Sequence, residues 1–209
     1  MSHNIFAKFL ALTFVTILTG ACASGPKTSI NRIDRSAEIP NAPYSRVLVV
    51  GVARNRDNGR RFETALATEL TNENASATAN YLENPDGVVT DAMVREVVSR
   101  KQADAVIVTS IKRIDVDTEV DAERIEVERS RRNDNLVDFF RYDYKDITTP
   151  ATVALTYNVV LTTEVFDSDT GKKVYSLESS TLKAETTFEI ILAESAAIAK
   201  QLRKDGIVR

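Results

Sequence analysis

Histidine and cysteine are almost absent from this chain of 209 residues, which has one of each. They are His3 and Cys22, and both lie near the N-terminus. Without a histidine further along the chain, Ser-His-Asp and Cys-His catalysis are excluded, as is a zinc site built from His or Cys. A single cysteine also excludes an intramolecular disulfide.

Glycine-rich motifs and an excess of one charge are missing too. The chain has only 7 glycines and contains no GxSxG, P-loop or GxGxxG pattern. Gly51, near the end of the first predicted strand, is a single glycine, which is too little for a pyrophosphate-binding loop. The 27 Lys and Arg residues face 30 Asp and Glu residues, so the basic excess that attracts polyanions is lacking. We therefore predict no cofactor and no nucleic-acid partner.

A secretion signal is the clearest feature that is present. Lys8 precedes the apolar run FLALTFVTIL at positions 9–18, and small residues follow at 19–21. A helix that spans a bilayer needs roughly 20 apolar residues, so this shorter run is typical of a cleavable signal. The pattern predicts a signal peptide at residues 1–21.

The segment LTGAC at positions 18–22 resembles the lipobox of bacterial lipoproteins. In that family, small residues precede a cysteine that receives a diacylglyceryl group and becomes the new N-terminus. The resemblance implies lipid attachment at Cys22 and membrane anchorage. Because Ala23 and Ser24 follow, it also implies the periplasmic face of the outer membrane. The segment ACA at 21–23 is an A-x-A site as well, so the alternative is ordinary cleavage after Ala23, giving a soluble product.

The rest of the chain is predicted to form a tether and one domain. After a lipidated N-terminus, the region 22–45 is rich in Ser, Asn, Pro and Gly, which favours a flexible tether. Residues 46–209 have the length of a single domain with a core of its own.

The spacing of apolar residues predicts the elements of this domain. Strands are expected at 46–52, 77–82 and 103–111, with helices at 58–72 and after a Thr90 cap. A hairpin of 152–166 with 172–184 and a closing helix from Thr186 or Thr187 to Lys204 complete it. The apolar face of that helix is predicted to carry Phe188, Ile191, Leu192, Ala199 and Leu202. The class is α/β, a mixed sheet in the order β-α-β-α-β-β-β-α with helices packed on it.

A charged and aromatic insert is expected at about 115–144, as a projecting loop or extended hairpin; the alternative is that its charged part prolongs the strand from Ile111. Its alternating carboxylates would share one face of a strand, and we interpret them as a solvated acidic edge rather than a metal site, because the EF-hand glycine is missing. The aromatic residues form either a satellite core or an exposed surface that binds a protein partner. The carboxylates are Asp115, Asp117, Glu119 and Asp121, and the aromatics are Phe139, Phe140, Tyr142 and Tyr144.

Three runs carry a resemblance to known envelope proteins: RVLVVGV at 46–52, ADAVIV at 103–108 and DSDTGK at 167–172. They resemble the domain shared by lipoproteins of the curli-secretion and penicillin-binding-protein activator types, and the N-terminal domain of the TolB translocation protein. The resemblance implies a non-enzymatic envelope lipoprotein that binds other envelope proteins through the mixed sheet or the insert. The alternative function is a carboxylate-based hydrolase or ligand-binding protein acting on cell-wall material.

Overall fold

The computed structural model describes residues 26–37, 39, 41–83, 89–121, 124–131, 142–149 and 152–209. Between residues 119 and 152 it describes the backbone and not the side chains. The predicted signal peptide, the lipid-attachment residue Cys22, and Phe139 and Phe140 of the predicted partner site lie outside the described residues.

Eight strands are present among the described residues. They are β1 Lys27–Arg35, β2 Arg46–Val52, β3 Ser76–Ala79, β4 Ala105–Asp121, β5 Arg124–Arg131, β6 Tyr142–Thr149, β7 Thr152–Asp167 and β8 Lys173–Ala184. Six of them form one mixed sheet in the order β1-β8-β7-β4-β2-β3, and β5 pairs with β6 in a separate ladder. Strand β2 is parallel to both of its neighbours, whereas the remaining pairs are antiparallel.

In the described part of the chain, four helices pack on this sheet: α1 Arg56–Leu70, α2 Asn80–Glu83, α3 Asp91–Lys101 and α4 Thr187–Lys204. The main core lies under α1 and α4 on one face, and a smaller core lies under α3 on the other. The predicted class, an α/β mixed sheet covered by helices, is confirmed; β1, α2 and the β5–β6 pair are additional to the predicted order. No helix in the described part of the chain is long and apolar enough to span a bilayer.

The helix starts follow from local capping chemistry. The side chain of Thr90 accepts a hydrogen bond from the backbone N–H of Met93, as the predicted cap requires. Thr186 and Glu189 form a reciprocal capping box at the start of α4. Gly206 adopts a φ of 67° directly after that helix, a conformation that a glycine takes without strain.

Strand β1 lies within the region 22–45 that was predicted to be a flexible tether. Residues 27–35 pair along β8 from Lys27↔Leu182 to Arg35↔Tyr175. Their polar composition is compatible with an edge strand, because one face looks to solvent and hydroxyl groups bond across the ladder, as between Thr28 and Thr181 at 2.6 Å. The tether interpretation was wrong for this stretch, and the folded domain begins before Arg46.

The apolar face predicted for α4 is partly wrong. Three of its five residues are buried or partly buried, but Phe188 and Leu192 are exposed and line a groove beside α1. Ile190 and Ile198 are buried in their place. The buried face of α4 is therefore rotated around the helix axis relative to the predicted face. Helix α4 packs against α1 as well as against the sheet.

Two motif aspartates fasten the start of β2 at one end of the sheet, which we call the turn end. Asp104 accepts hydrogen bonds from the backbone N–H groups of Ser45 at 3.0 Å and Arg46 at 2.9 Å. Asp167 is fully buried and accepts from the backbone and hydroxyl of Thr170, both at 2.8 Å, and from the hydroxyl of Tyr44 at 3.0 Å. The runs at 103–108 and 167–172, two of the three behind the family resemblance, thus stabilise the fold here through their aspartates.

The electrostatics of this end follow from burial and hydrogen bonding. Burial by itself raises the pKa of Asp167, but the hydrogen bonds from Thr170, Tyr44 and Asn41 outweigh it and hold the pKa below its ordinary value. Burial and the neighbouring carboxylate raise the pKa of Tyr44. Asp167 therefore adds stability above its unfolded pKa of about 3.9, and that contribution is lost as the pH falls.

Tyr44→Phe is expected to lower the free energy of unfolding by about 1 kcal/mol, because it removes a buried hydrogen bond while keeping the ring. Tyr81→Phe is the matched control, since its hydroxyl bonds to Thr64 at an exposed position; its expected cost is under about 0.5 kcal/mol. Urea unfolding at pH 7 measures both. Equal costs would contradict the role given to Tyr44.

Candidate functional site: an apolar cleft and a two-stranded arm

An apolar cleft opens at the end of the sheet opposite the turn end, where the N-termini of α1 and α4 approach the strands. Its volume is about 170 Å³. Aliphatic and aromatic side chains make up most of its walls. The lining residues are Gly51, Val52, Ala53, Asn58, Gly59, Phe62, Thr109, Ser110, Ile111, Ile114, Tyr157, Val159, Leu161, Thr187, Ile190 and Ile191.

Two glycines set one wall of the apolar cleft. A Cβ atom on Gly51 would lie 2.9 Å from the backbone oxygen of Gly59, and one on Gly59 would lie 3.1 Å from the backbone oxygen of Gly51. Both distances are shorter than ordinary contacts, so the first turn of α1 reaches the end of β2 only because side chains are absent there. Gly51 therefore has a packing role, which its isolation in the sequence did not reveal.

Glu63 holds this wall in place from beneath. Its side chain is only 3% exposed. One carboxylate oxygen accepts from the backbone N–H of Gly51 at 2.9 Å and the other from that of Tyr81 at 2.7 Å. Burial raises the pKa of Glu63, and the two backbone hydrogen bonds and the charge of Arg60 oppose the rise.

Strands β4 and β7 continue past the apolar cleft as a two-stranded arm. Strand β2 follows β4 only to Ser110, and β8 pairs with β7 only from Tyr157 onward. Strands β4 and β7, however, stay paired as far as Asp121 and Thr152. We call residues 111–121 and 152–157 the arm, which is two-stranded beyond the pair Val116↔Tyr157.

The arm has an apolar face that continues the floor of the apolar cleft. A bulge between Ile111 and Arg113 shifts the alternation of side chains, so that Ile114 lies opposite Val159 on the cleft side. The apolar side chains beyond the helices are exposed at Ile114 (50%), Val116 (53%), Val153 (62%) and Leu155 (44%). An apolar surface of this kind marks an interaction site more often than chance exposure does.

The opposite face of the arm is polar. Arg113 pairs with Asp115 at 2.9 Å, and the amide of Asn158 donates to Asp117 at 2.6 Å. The predicted sharing of one strand face by the alternating carboxylates is thus confirmed for Asp115 and Asp117. Within the described ranges, no group of three or more His, Cys, Asp or Glu side chains is arranged to hold a metal ion.

The described parts of the predicted insert at 115–144 lie in strands β4, β5 and β6. Its first residues belong to β4, and β5 and β6 then pair antiparallel, which fits the extended-hairpin alternative. Tyr142 and Tyr144 lie in β6 opposite Arg131 and Arg129. The choice between a core and an interface for the aromatic residues stays a prediction.

Solved structures resemble this chain at low sequence identity. No family model and no curated protein matches it. The PelC dodecamer from Paraburkholderia phytofirmans has a TM-score of 0.47 at 14% identity, covering 88% of this chain and 99% of that one. Lipoprotein GNA1162 from Neisseria meningitidis has a TM-score of 0.39 at 12% identity, covering 77% and 99%. No residue role is taken from these likenesses.

Proposed function

We propose that this chain is a non-enzymatic accessory protein of the bacterial cell envelope, anchored by lipid at Cys22 on the periplasmic face of the outer membrane. It binds another envelope protein through the apolar cleft. The observation that supports this function is the cleft itself, about 170 Å³ of apolar space open to solvent. A dry cavity of about 150 Å³ takes a molecule the size of benzene, so the cleft suits one large apolar side chain of a partner.

The polar groups near the cleft favour binding over hydrolysis. The hydroxyl of Thr109 is paired with that of Thr163 at 2.9 Å, and both oxygens of Glu63 are occupied by backbone N–H groups. A glycosidase instead places two carboxylates on either side of a bond. The side chains lining the cleft offer apolar contact, not a carboxylate pair.

A second proposed contact is the aromatic group of the insert, Phe139, Phe140, Tyr142 and Tyr144. Dense mixed charge around aromatic residues combines encounter rate with affinity. This contact and the cleft are separable, because they belong to different segments of the chain.

A photoreactive residue at Ile114 is expected to give one discrete adduct with an envelope protein in intact cells, because this side chain lies half-exposed on the rim of the cleft. Asn58→Trp should fill the cleft mouth and weaken the adduct roughly tenfold, the effect of about 1.4 kcal/mol. The N-cap of α1 survives this change, since Asn55 bonds to the backbone of residue 58.

Leu82→Trp is the control for this experiment, because Leu82 is exposed on α2 and lies away from the cleft lining. It should leave the adduct unchanged. An adduct that survives Asn58→Trp at full yield would place the partner contact elsewhere.

Lipid attachment is tested separately. Labelled palmitate is expected to enter the wild-type chain and not the Cys22→Ser variant, since the thiol is the acceptor. A mature N-terminus at Ser24 would contradict the anchor and support the soluble alternative.

A further inference from the structure

We infer that the apolar face of the arm lies against the membrane that holds the lipid anchor, so that the protein touches the bilayer with a β-ribbon as well as with its acyl chains. The inference rests on the proposed anchor at Cys22. It goes beyond the proposed function, because it assigns a phospholipid surface to Val116, Val153 and Leu155, which do not line the cleft.

The first argument is the place where the N-terminal segment leaves the fold. Strand β1 runs antiparallel to β8, and its first residue, Lys27, lies opposite Leu182. Two residues further along β8, Ala184 lies opposite Tyr157, the level at which the arm begins. The chain that precedes β1 therefore leaves the sheet at the end that carries the arm.

The second argument is a comparison of lengths. Five peptide units separate Cys22 from Lys27, and they span at most about 17 Å when fully extended. The arm runs five residues from Tyr157 to Thr152 beyond the last pairing with β8, which is also about 17 Å. Even a fully stretched anchor segment leaves the bilayer within reach of the arm.

The third argument is the amphipathic character of the arm. A two-stranded ribbon is at best marginally stable in water when it stands alone, and an apolar face needs a cover. The arm presents Val116, Val153 and Leu155 on one side, and the ion pair of Arg113 with Asp115 on the other. Such a ribbon suits the boundary between headgroups and acyl chains, where amphipathic helices also lie with one face buried.

The whole chain contains no tryptophan, so one introduced indole reports on one position alone. Leu155→Trp places the reporter on the apolar face, and Ala154→Trp places it on the opposite face one residue away. Both variants are prepared as the lipidated protein in vesicles of phosphatidylethanolamine and phosphatidylglycerol with brominated acyl chains. We expect a blue-shifted emission and at least twofold quenching for L155W, with neither change for A154W.

Each outcome decides the question. A lipidated L155W protein whose emission stays that of an indole in water overturns the membrane contact and leaves the proposed function intact. Absence of lipid on Cys22 overturns the anchor and the inference together. A blue shift of L155W that appears without vesicles and grows with protein concentration shows that a second copy covers the face, which also overturns the inference. V153W, on the same face, repeats the measurement if L155W does not fold.

Discussion

Glu63→Gln is expected to lower the free energy of unfolding by about 1–3 kcal/mol, which is the largest effect we predict for a change of so few atoms. Both carboxylate oxygens accept from backbone N–H groups, of Gly51 and Tyr81, and a backbone N–H can only donate. An amide turns one acceptor into a donor, so one buried N–H loses its partner and faces another N–H; a buried group without a partner costs about 1–3 kcal/mol.

The measurement is urea unfolding at pH 7, with Glu69→Gln as control. Glu69 lies on the same helix and its side chain is exposed, so its replacement should change stability by less than about 0.5 kcal/mol. Because Glu63 supports the cleft wall, its variant should also weaken the Ile114 adduct. A Glu63→Gln protein as stable as the wild type would show that the carboxylate does not hold β2 and α2 together.

Glu194→Gln is expected to act in the opposite direction and to raise stability at pH 8 by about 1–2 kcal/mol. Glu194 is fully buried, and its two oxygens accept from the hydroxyls of Ser179 at 2.5 Å and Thr181 at 2.7 Å. A hydroxyl can donate or accept, so the amide of glutamine keeps both hydrogen bonds and the buried charge disappears. Burial raises the pKa of Glu194, because the folded protein disfavours the charged form of this side chain.

The pH dependence separates this cause from simple repacking. Below the unfolded pKa of about 4.3, Glu194 is protonated in both states and its full contribution is present. As the pH rises from the unfolded pKa through the raised folded pKa, the unfolded state has released its proton while the folded state still holds it. The free energy of unfolding therefore falls over this range. The Glu194→Gln variant should lose that fall in unfolding experiments from pH 4 to pH 8. The slope should not vanish altogether, because the pKa of Glu63 is raised in the same direction. Parallel slopes for wild type and variant would contradict the assignment.

Local patterns predicted the parts of the fold whose causes are local. Helix starts are predictable where the capping contacts lie within four residues, as at Thr90 and at the Thr186–Glu189 pair. Strand β7 is predictable because its own sequence alternates between apolar and polar residues. Strand β1 has no such signal, because residues 27–35 are held by the edge of β8, about 150 positions away along the chain. An edge strand of polar composition is therefore hidden from sequence reasoning.

The apolar cleft was not predicted, because it forms where β2 ends while β4 and β7 continue. The alternation from Val153 to Val165 predicts a half-buried strand but not which part a helix covers. The structure shows the cause in the difference in length between β4, with 17 residues, and its neighbour β2, with 7. Apolar residues of β4 beyond that neighbour had to be exposed or covered by something else. Cys22 and the aromatic residues of the insert remain predictions of the sequence alone.

The bulge at the base of the arm determines which β4 side chains beyond it lie on the side of the cleft. With regular alternation after Ile111, the cleft side would receive Arg113 and Asp115, and Ile114 would turn to the polar side. One extra residue, Lys112, exchanges the two sets, so the surface that begins under the helices runs unbroken onto the arm. A single unpaired position, Lys112, thus determines whether the arm presents charged or apolar side chains on the side of the cleft.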